Sequence, residues 1–464
     1  MSRRVHFIGI GGAGLSAIAH VLNDRGELVT GSDRSLSAYA QALKNAGVEV
    51  FIGHHADQVR DADLVIASSS IDTVNVEWIA AQEAQIPVLH RKDFLEELTT
   101  GFETIAVAGT HGKTTISGMI AWLLEKTDHD PSFVVGGMLP DFGANGKAGS
   151  GRYFVVEADE YDGAFLGLHP TIAVVTSVEH DHPDIYPTIE DVNRAFQDFV
   201  HQISELLIVN RNDPGSNALN VEAIDRITYG MGVEADWQAE EVKPNSAGGM
   251  DFLALNNGEM LGLVRTRLPG IHNISNALAA MAVGDAVGIS FSAMREALTS
   301  YHGAGQRFEI LGSVGNVTVV DDYAHHPTEI RATLSTAKLR FPNAKIWAVF
   351  QPHTYSRLKS LMAAYINAFV DADHVIVTEV FAAREKPNGI IDGETIASKI
   401  NHPDVRFIDS FDNLVQELAD QVRPGEVVVT LSAGDANKVG RMLLDELSGR
   451  KKGVGNEQEN TQSI

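Results

Sequence analysis

The sequence predicts an α/β protein of three domains, and three observations carry that reading. Short apolar runs alternate with helical patterns along most of the chain, as in parallel, doubly wound sheets. The alternation restarts twice, near residue 101 and after Gly303. A length of 464 residues is also too great for one hydrophobic core. We therefore read 1–100, 101–303 and 304–449 as domains, and the polar, Glu/Gln/Asn-rich stretch 450–464 as a disordered tail.

In the first domain Val5–Ile10, Glu27–Thr30 and Asp63–Ala67 read as strands, Gly14–Arg25 as a helix and Phe94–Thr100 as a polar helix. In the second, Thr104–Ala108, Tyr153–Val156 and Thr171–Val175 are strands, and a helix starts near Lys113. Glycine-punctuated pieces from Thr228 to Arg267 predict an antiparallel insertion, followed by alanine-rich helices over Asn273–Val287. The third repeats the alternation with strands at Val317–Val320, Lys345–Phe350, His374–Thr378 and Glu426–Leu431.

Composition narrows the function. Hydrophobic content of 44% and charged content of 21% are ordinary for soluble globular chains. A formal charge of −25 leaves no basic surplus for nucleic acid or an anionic membrane. The absence of cysteine excludes disulfides, thiolate metal sites and a cysteine nucleophile. Arg3 and Arg4 before an apolar run imitate a signal peptide, but His6 and the glycines from Gly9 to Gly14 break it. No run approaches the roughly 18 apolar residues of a membrane span, so a cytoplasmic protein without membrane insertion is expected.

The clearest motif is Gly109-Thr110-His111-Gly112-Lys113-Thr114-Thr115, between a strand and a helix. Glycines there let backbone amides turn toward phosphate oxygens, and a helix N-terminus adds its positive end. Lys113 is placed to reach β- and γ-phosphates and Thr114 to hold Mg²⁺, which predicts ATP as the ligand. Only two residues separate Gly109 from Gly112, fewer than in the common G-x-x-x-x-G-K-[ST] loop. Glu157-Ala-Asp-Glu-Tyr-Asp162 follows one strand, and hard carboxylate oxygens at such a strand end suit Mg²⁺. Glu179-His-Asp-His-Pro-Asp184 follows another, and His182 is the histidine we place beside a nucleotide–metal site.

A second glycine motif, Gly9-Ile-Gly11-Gly12-Ala-Gly14, has Asp33 nineteen residues beyond it. Alone it reads as a dinucleotide fingerprint and a possible NAD-dependent oxidoreductase. Its physical content is a site for a pyrophosphate and a ribose hydroxyl, which a UDP-linked substrate also carries. Two nucleotide loops in one chain suit a ligase better than hydride transfer, which needs no ATP. A non-catalytic nucleotide-binding module is the third reading, opposed by Lys113, Thr114, Glu157 and His182 standing together.

These motifs, with Gly31-Ser32-Asp33, Leu268–Leu278, Gly305–Phe308, Asp321–Glu329 and Phe350–Arg357, resemble the Mur ligase family in its order, over about residues 5–445. Within it the first glycine motif and Gln351–Arg357 resemble the branch that adds L-alanine to UDP-N-acetylmuramate, whereas Glu160-Tyr161-Asp162 leans toward the tripeptide-recycling branch. The resemblance implies a Rossmann-like UDP-binding domain, a P-loop ATPase domain and a Rossmann-like C-terminal domain. It implies an acyl-phosphate route using ATP and Mg²⁺, with Mn²⁺ as an alternative ion, in a monomer or weak homo-oligomer. By that resemblance Gly109–Thr115, His272, Asn276 and Asp322 bind ATP, and Thr114, Glu157 and His182 hold metal. Gly11, Gly12, Gly14, Ser32, Asp33, Ser69 and Arg357 take the UDP-substrate, Tyr323 and His325 border L-alanine, and Lys113, Glu157, His182 and Arg307 are catalytic. Later ligases of the pathway use a carbamoylated lysine, but no lysine lies between Lys147 and Lys243. Thr354 stands where many relatives carry arginine.

Overall fold

A computed structural model describes residues 2–386 and 391–461, with side chains described as far as Lys451. The expected disordered tail therefore falls, beyond Lys451, outside the residues whose side chains are described. The α/β class holds, with three sheets. By internal contacts the chain forms two units: the first contains the first two sheets and ends at Gly305, and the second contains the third sheet, together with His182–Asp184 and Pro269–His272.

The first sheet has five parallel strands in the order Glu49–Ile52, Leu28–Asp33, Arg4–Ile8, Leu64–Ala67, Val88–His90. The central strand stops at Ile8, two residues earlier than its apolar run, because Gly9 turns the chain with φ +88°. A helix follows over Ala13–Asp24 and buries Leu15, Ile18 and Leu22. The helix expected at Phe94–Thr100 spans Arg91–Thr99; its start is set by a capping box between His90 and Asp93.

Ten strands form the second sheet, in the order Glu259–Arg265, Met250–Asn256, Trp237–Pro244, Asp225–Met231, Leu206–Asn210, Ile172–Val175, Glu103–Ala108, Tyr153–Glu157, Ser132–Leu139, Ala144–Lys147. The strand before the phosphate loop thus lies between the two strands that end in the acidic and histidine-bearing segments. The insertion is only partly antiparallel, which corrects the sequence reading. Asp225–Met231 and Trp237–Pro244 continue the parallel run, and antiparallel pairing begins with Met250–Asn256. Each strand there pairs with its neighbours in sequence, and only the direction of the first two pairings departs from the antiparallel reading. One apolar cluster joins the two sheets of this unit, with Phe7, Ile18, Phe94, Phe154, Phe165 and Phe199 almost fully buried. Each such side chain is worth about 1.5–3 kcal/mol relative to exposure.

In the second unit the order is Glu309–Val314, Val317–Asp322, Val427–Leu431, Ile346–Phe350, His374–Val377, Val405–Phe407, antiparallel only in the first pair. Ile346–Phe350 is buried on both faces: Ala348 and Phe350 pack with Tyr365 and Phe369, and Trp347 and Val349 with Leu414 and Leu418. That explains its uninterrupted apolar sequence.

Candidate nucleotide and substrate sites

The phosphate loop leaves its strand at Gly109, whose φ is +123°; a Cβ there would fall 2.0 Å from Thr176 Oγ1. Glycine is required on both counts. The loop is pinned to the neighbouring strand end: Thr110 N donates to Ser177 O at 2.8 Å, and Glu179 N to Thr110 Oγ1 at 2.9 Å. The helix Lys113–Lys126 begins at Gly112, which has φ +80° and offers no side-chain cap.

Two carboxylates meet this loop. Thr114 Oγ1 donates to Glu157 Oε1 at 2.9 Å, and Gly136 N to Glu157 Oε2 at 2.6 Å. Lys113 Nζ donates to Glu160 Oε2 at 2.8 Å, to Glu160 Oε1 at 3.0 Å and to Gly109 O at 2.6 Å. Burial alone pushes the Lys113 ammonium down, but Glu160, then Asp159 and Glu157, more than offset it and hold its pKa above the usual lysine value. Lys113 therefore stays charged. Asn276 Oδ1 lies 2.8 Å from where a Cβ on Gly112 would sit, so the expected adenine-side residue borders the loop. Its Nδ2 donates to Asn273 Oδ1 at 2.9 Å.

Glu160 and Gly136 were missed as site residues. The signal for Gly136 was present, since Gly136-Gly137 interrupts the apolar run Phe133–Leu139, a mark of close backbone approach.

At the first glycine motif Asp33 Oδ2 accepts from Gly11 N at 2.9 Å. A Cβ on Gly11 would lie 2.8 Å from that oxygen, so Asp33 and Gly11 shape the loop together. Gly12 and Gly14 stand at the N-terminus of Ala13–Asp24, where Gly12 makes no side-chain cap. Ser69 is exposed in the turn after Leu64–Ala67. Ser32 is committed inside the fold: its hydroxyl donates to Glu77 Oε2 at 2.6 Å and lies 3.0 Å from His54 Nδ1. Burial raises the Glu77 carboxyl, yet bonds from His6, Ser32 and the His55 amide outweigh it and leave the pKa low. This His6–Ser32–His54–Glu77 cluster was not foreseen.

The second unit gathers most of the remaining residues. Arg307 lies over the Tyr323 ring at 5.0 Å from its centroid, and Tyr323 and His325 meet edge to face at 5.5 Å. His325 and His353 are 5.3 Å apart, and Arg357 Nη1 lies 2.7 Å from His353 Nδ1. Asp322 accepts from Phe308 N and Ala324 N, each at 2.8 Å. Burial pushes its carboxyl up to about 6 against the opposing pull of Arg307. Part of the Asp321–Glu329 motif is structural, because Pro327 opens a helix whose capping box joins His326 and Glu329. His182 has φ +52°, and His272 is exposed in the first turn of Ile271–Ala286.

Residues 4–103 match the Mur ligase family catalytic domain, 107–284 the Mur ligase middle domain and 306–434 the Mur ligase glutamate ligase domain. The chain is 42% identical over 464 residues to the UDP-N-acetylmuramate–L-alanine ligase of Symbiobacterium thermophilum, covering 97% of this chain and 95% of that one. Identity to the same-named protein of Geobacter sp. (strain M21) is 41% over 455 residues, covering 97% and 98%. The crystal structure of UDP-N-acetylmuramate–alanine ligase from Thermotoga maritima superposes with TM-score 0.83 at 28% identity, over 96% of this chain and 99% of that one. A murein peptide ligase from Psychrobacter arcticus gives 0.73 at 25% identity, with the same coverage.

Proposed function

Since the chain belongs to the Mur ligase family, we propose that it joins L-alanine to the lactoyl carboxylate of UDP-N-acetylmuramate with ATP, as a cytoplasmic step of peptidoglycan precursor synthesis. The observation that carries this reading is two nucleotide-type glycine loops in one unit, one with Lys113 and Thr114 on Glu160 and Glu157, the other with Asp33 on Gly11. Identity near 40% over almost the full chain to proteins named UDP-N-acetylmuramate–L-alanine ligase supports alanine over a tripeptide.

In this reading the carboxylate attacks the γ-phosphorus of ATP in line, ADP leaves, and an acyl phosphate forms. The amine of L-alanine then attacks that carbonyl, and phosphate leaves with the bond electrons. No side chain becomes covalently attached; the protein positions two anions and offsets their repulsion. Lys113 would engage the β- and γ-phosphates and loop amides from Gly109 to Thr115 would cradle them, with Asn276 toward the rest of the nucleotide. Thr114 and Glu157, whose side-chain oxygens lie 2.9 Å apart, are the hard-oxygen donors that would hold Mg²⁺. Such an ion, when bound, neutralises phosphate charge. Arg307 and Arg357 face anionic substrate groups, and Tyr323 and His325 border the amino acid.

The test is phosphate release from ATP with UDP-N-acetylmuramate and a panel of L-alanine, glycine, L-serine and the murein tripeptide. Release that depends on L-alanine is expected. A missing methyl group is worth only about 1–3 kcal/mol of discrimination, so weak turnover with glycine is expected as well. Release with the tripeptide but not alanine would transfer the chain to the recycling reaction.

A further inference from the structure

Four carboxylates stand in the six residues Glu157–Asp162, and the structure divides them between two loops. Glu157 and Glu160 take Thr114 and Lys113 of the phosphate loop. Asp159 and Asp162 turn to the helix that follows the last strand of the first sheet: Arg91 Nη2 donates to Asp159 Oδ2 at 2.7 Å, and Lys92 Nζ lies 3.3 Å from Asp162 Oδ2.

Arg91 is not placed there for the ion pair alone. A Cβ built on Gly14 would fall 2.3 Å from Arg91 Nη1, 3.1 Å from its Cδ and 3.2 Å from its Cζ. The guanidinium therefore lies across Gly14, the last glycine of the Gly9–Gly14 motif, and a Cβ there would push it aside. Its side chain is 26% exposed, too open for a purely structural buried pair. Asp159 engages one of its nitrogens, and a guanidinium has five N–H donors in a planar fork suited to phosphate oxygens.

We propose that Arg91 binds the pyrophosphate of the UDP-linked substrate over the Gly9–Gly14 loop, with Asp159 as the positioning residue that fixes its guanidinium. This rests on the reading of that loop as the UDP half of the ligase and adds a residue to it. The same acidic segment then reaches both nucleotides, with Glu157 and Glu160 on the ATP side and Asp159 on the UDP side.

Calorimetric titration with UDP and with uridine tests the assignment in the intact chain, because only UDP carries the pyrophosphate. Arg91→Ala should weaken UDP binding about 10-fold to 100-fold, the range for one charge-assisted hydrogen bond, and leave uridine binding unchanged. Arg91→Lys should recover part of the loss, since the charge remains without the fork. Asp159→Asn should weaken UDP binding by less, and Arg91→Ala/Asp159→Asn by no more than Arg91→Ala alone. In turnover these changes should raise the KM for UDP-N-acetylmuramate and leave the KM for ATP near its original value. UDP binding by Arg91→Ala equal to that of the unaltered protein would overturn the proposal. So would equal losses for UDP and uridine, which mark a merely structural role. If the unaltered protein itself binds no UDP, the reading of the loop fails and the assignment of Arg91 falls with it.

Discussion

Lys113 Nζ meets both carboxylate oxygens of Glu160, at 2.8 and 3.0 Å, three residues beyond the carboxylate that accepts from Thr114. Adjacent residues of the phosphate loop are thus held by two acids spaced by three on a neighbouring strand end. Glu160 is 3% exposed, so its charge depends on Lys113 for compensation. Breaking one side of such a pair is costly because the other charge stays buried.

Two effects of Lys113→Ala should therefore separate. Ligation should fall by about 10²–10³-fold or more, as when a preorganised transition-state charge is removed, while UDP binding persists. The protein should also lose about 3–5 kcal/mol of stability from the orphaned Glu160. Adding Glu160→Gln should restore much of the thermal midpoint and none of the activity. Phosphate-release assays beside melting curves read both quantities; recovered ligation in the double variant would refute the role given to Lys113.

Gly136→Ala is a quieter probe of the metal-side carboxylate. A Cβ at that position would lie 2.8 Å from Glu157 Oε1 and 2.9 Å from Oε2. The carboxylate must move, while Gly136 itself has ordinary backbone angles outside the positive-φ group. Displacements on this scale cost up to about 10²-fold in rate. We expect a higher requirement for Mg²⁺ and a lower kcat, with UDP binding unchanged. A magnesium titration identical to that of the original protein would show that Glu157 is not where the ion binds.

These two sites also show what the sequence could and could not tell. The phosphate loop was legible because its information is local: a strand, glycines where positive φ is needed, a lysine and threonine, then a helix. Asp33 was legible as the acid of the second loop, though its observed partner is the Gly11 amide. Glu160, Gly136 and Arg91 were not, because their roles depend on neighbours made by sheet order. Gly136 meets Glu157 only because Ser132–Leu139 pairs with Tyr153–Glu157. Ser32, expected at the UDP-substrate, is buried with its hydroxyl on Glu77, forty-five residues away in sequence. The insertion was misread only in part and for a different reason: a short helix, Pro214–Ala218, returns the chain so that Asp225–Met231 pairs in parallel with Leu206–Asn210, while the later pairs are antiparallel as expected.

Acid stability should carry the signature of Asp130. Its carboxyl is pushed down to about 2, first by the bond from Lys147 and then by the Ser150 amide and hydroxyl. In the unfolded chain an aspartate ionises near about 3.9, so the unfolded state binds the proton first as pH falls. The contribution is complete above about pH 4 and disappears as pH drops toward 2. The carboxylate is 44% exposed, so solvent screening keeps the effect small. Melting midpoints of the original protein and Asp130→Asn should differ at neutral pH and converge between about pH 4 and 2. A gap that stays constant through that window would exclude the linkage.

Thr354 carries backbone strain. It precedes the helix Tyr355–Tyr365 with φ +60° and ψ +138°, a region disfavoured for any side chain and most of all for a β-branched one. The residue is 4% exposed and its amide donates to Phe381 O at 3.0 Å, so the surrounding fold holds it there. Such strain costs about 1–3 kcal/mol, and the greater freedom of glycine in the unfolded chain returns about 0.4–1 kcal/mol of that. Thr354→Gly should therefore stabilise the second unit by about 1 kcal/mol, seen as a higher unfolding midpoint. Thr354→Val, which keeps the branching and the strain, should give no gain. A lower midpoint for the glycine variant would mean that the packing of the threonine side chain outweighs the strain of its backbone.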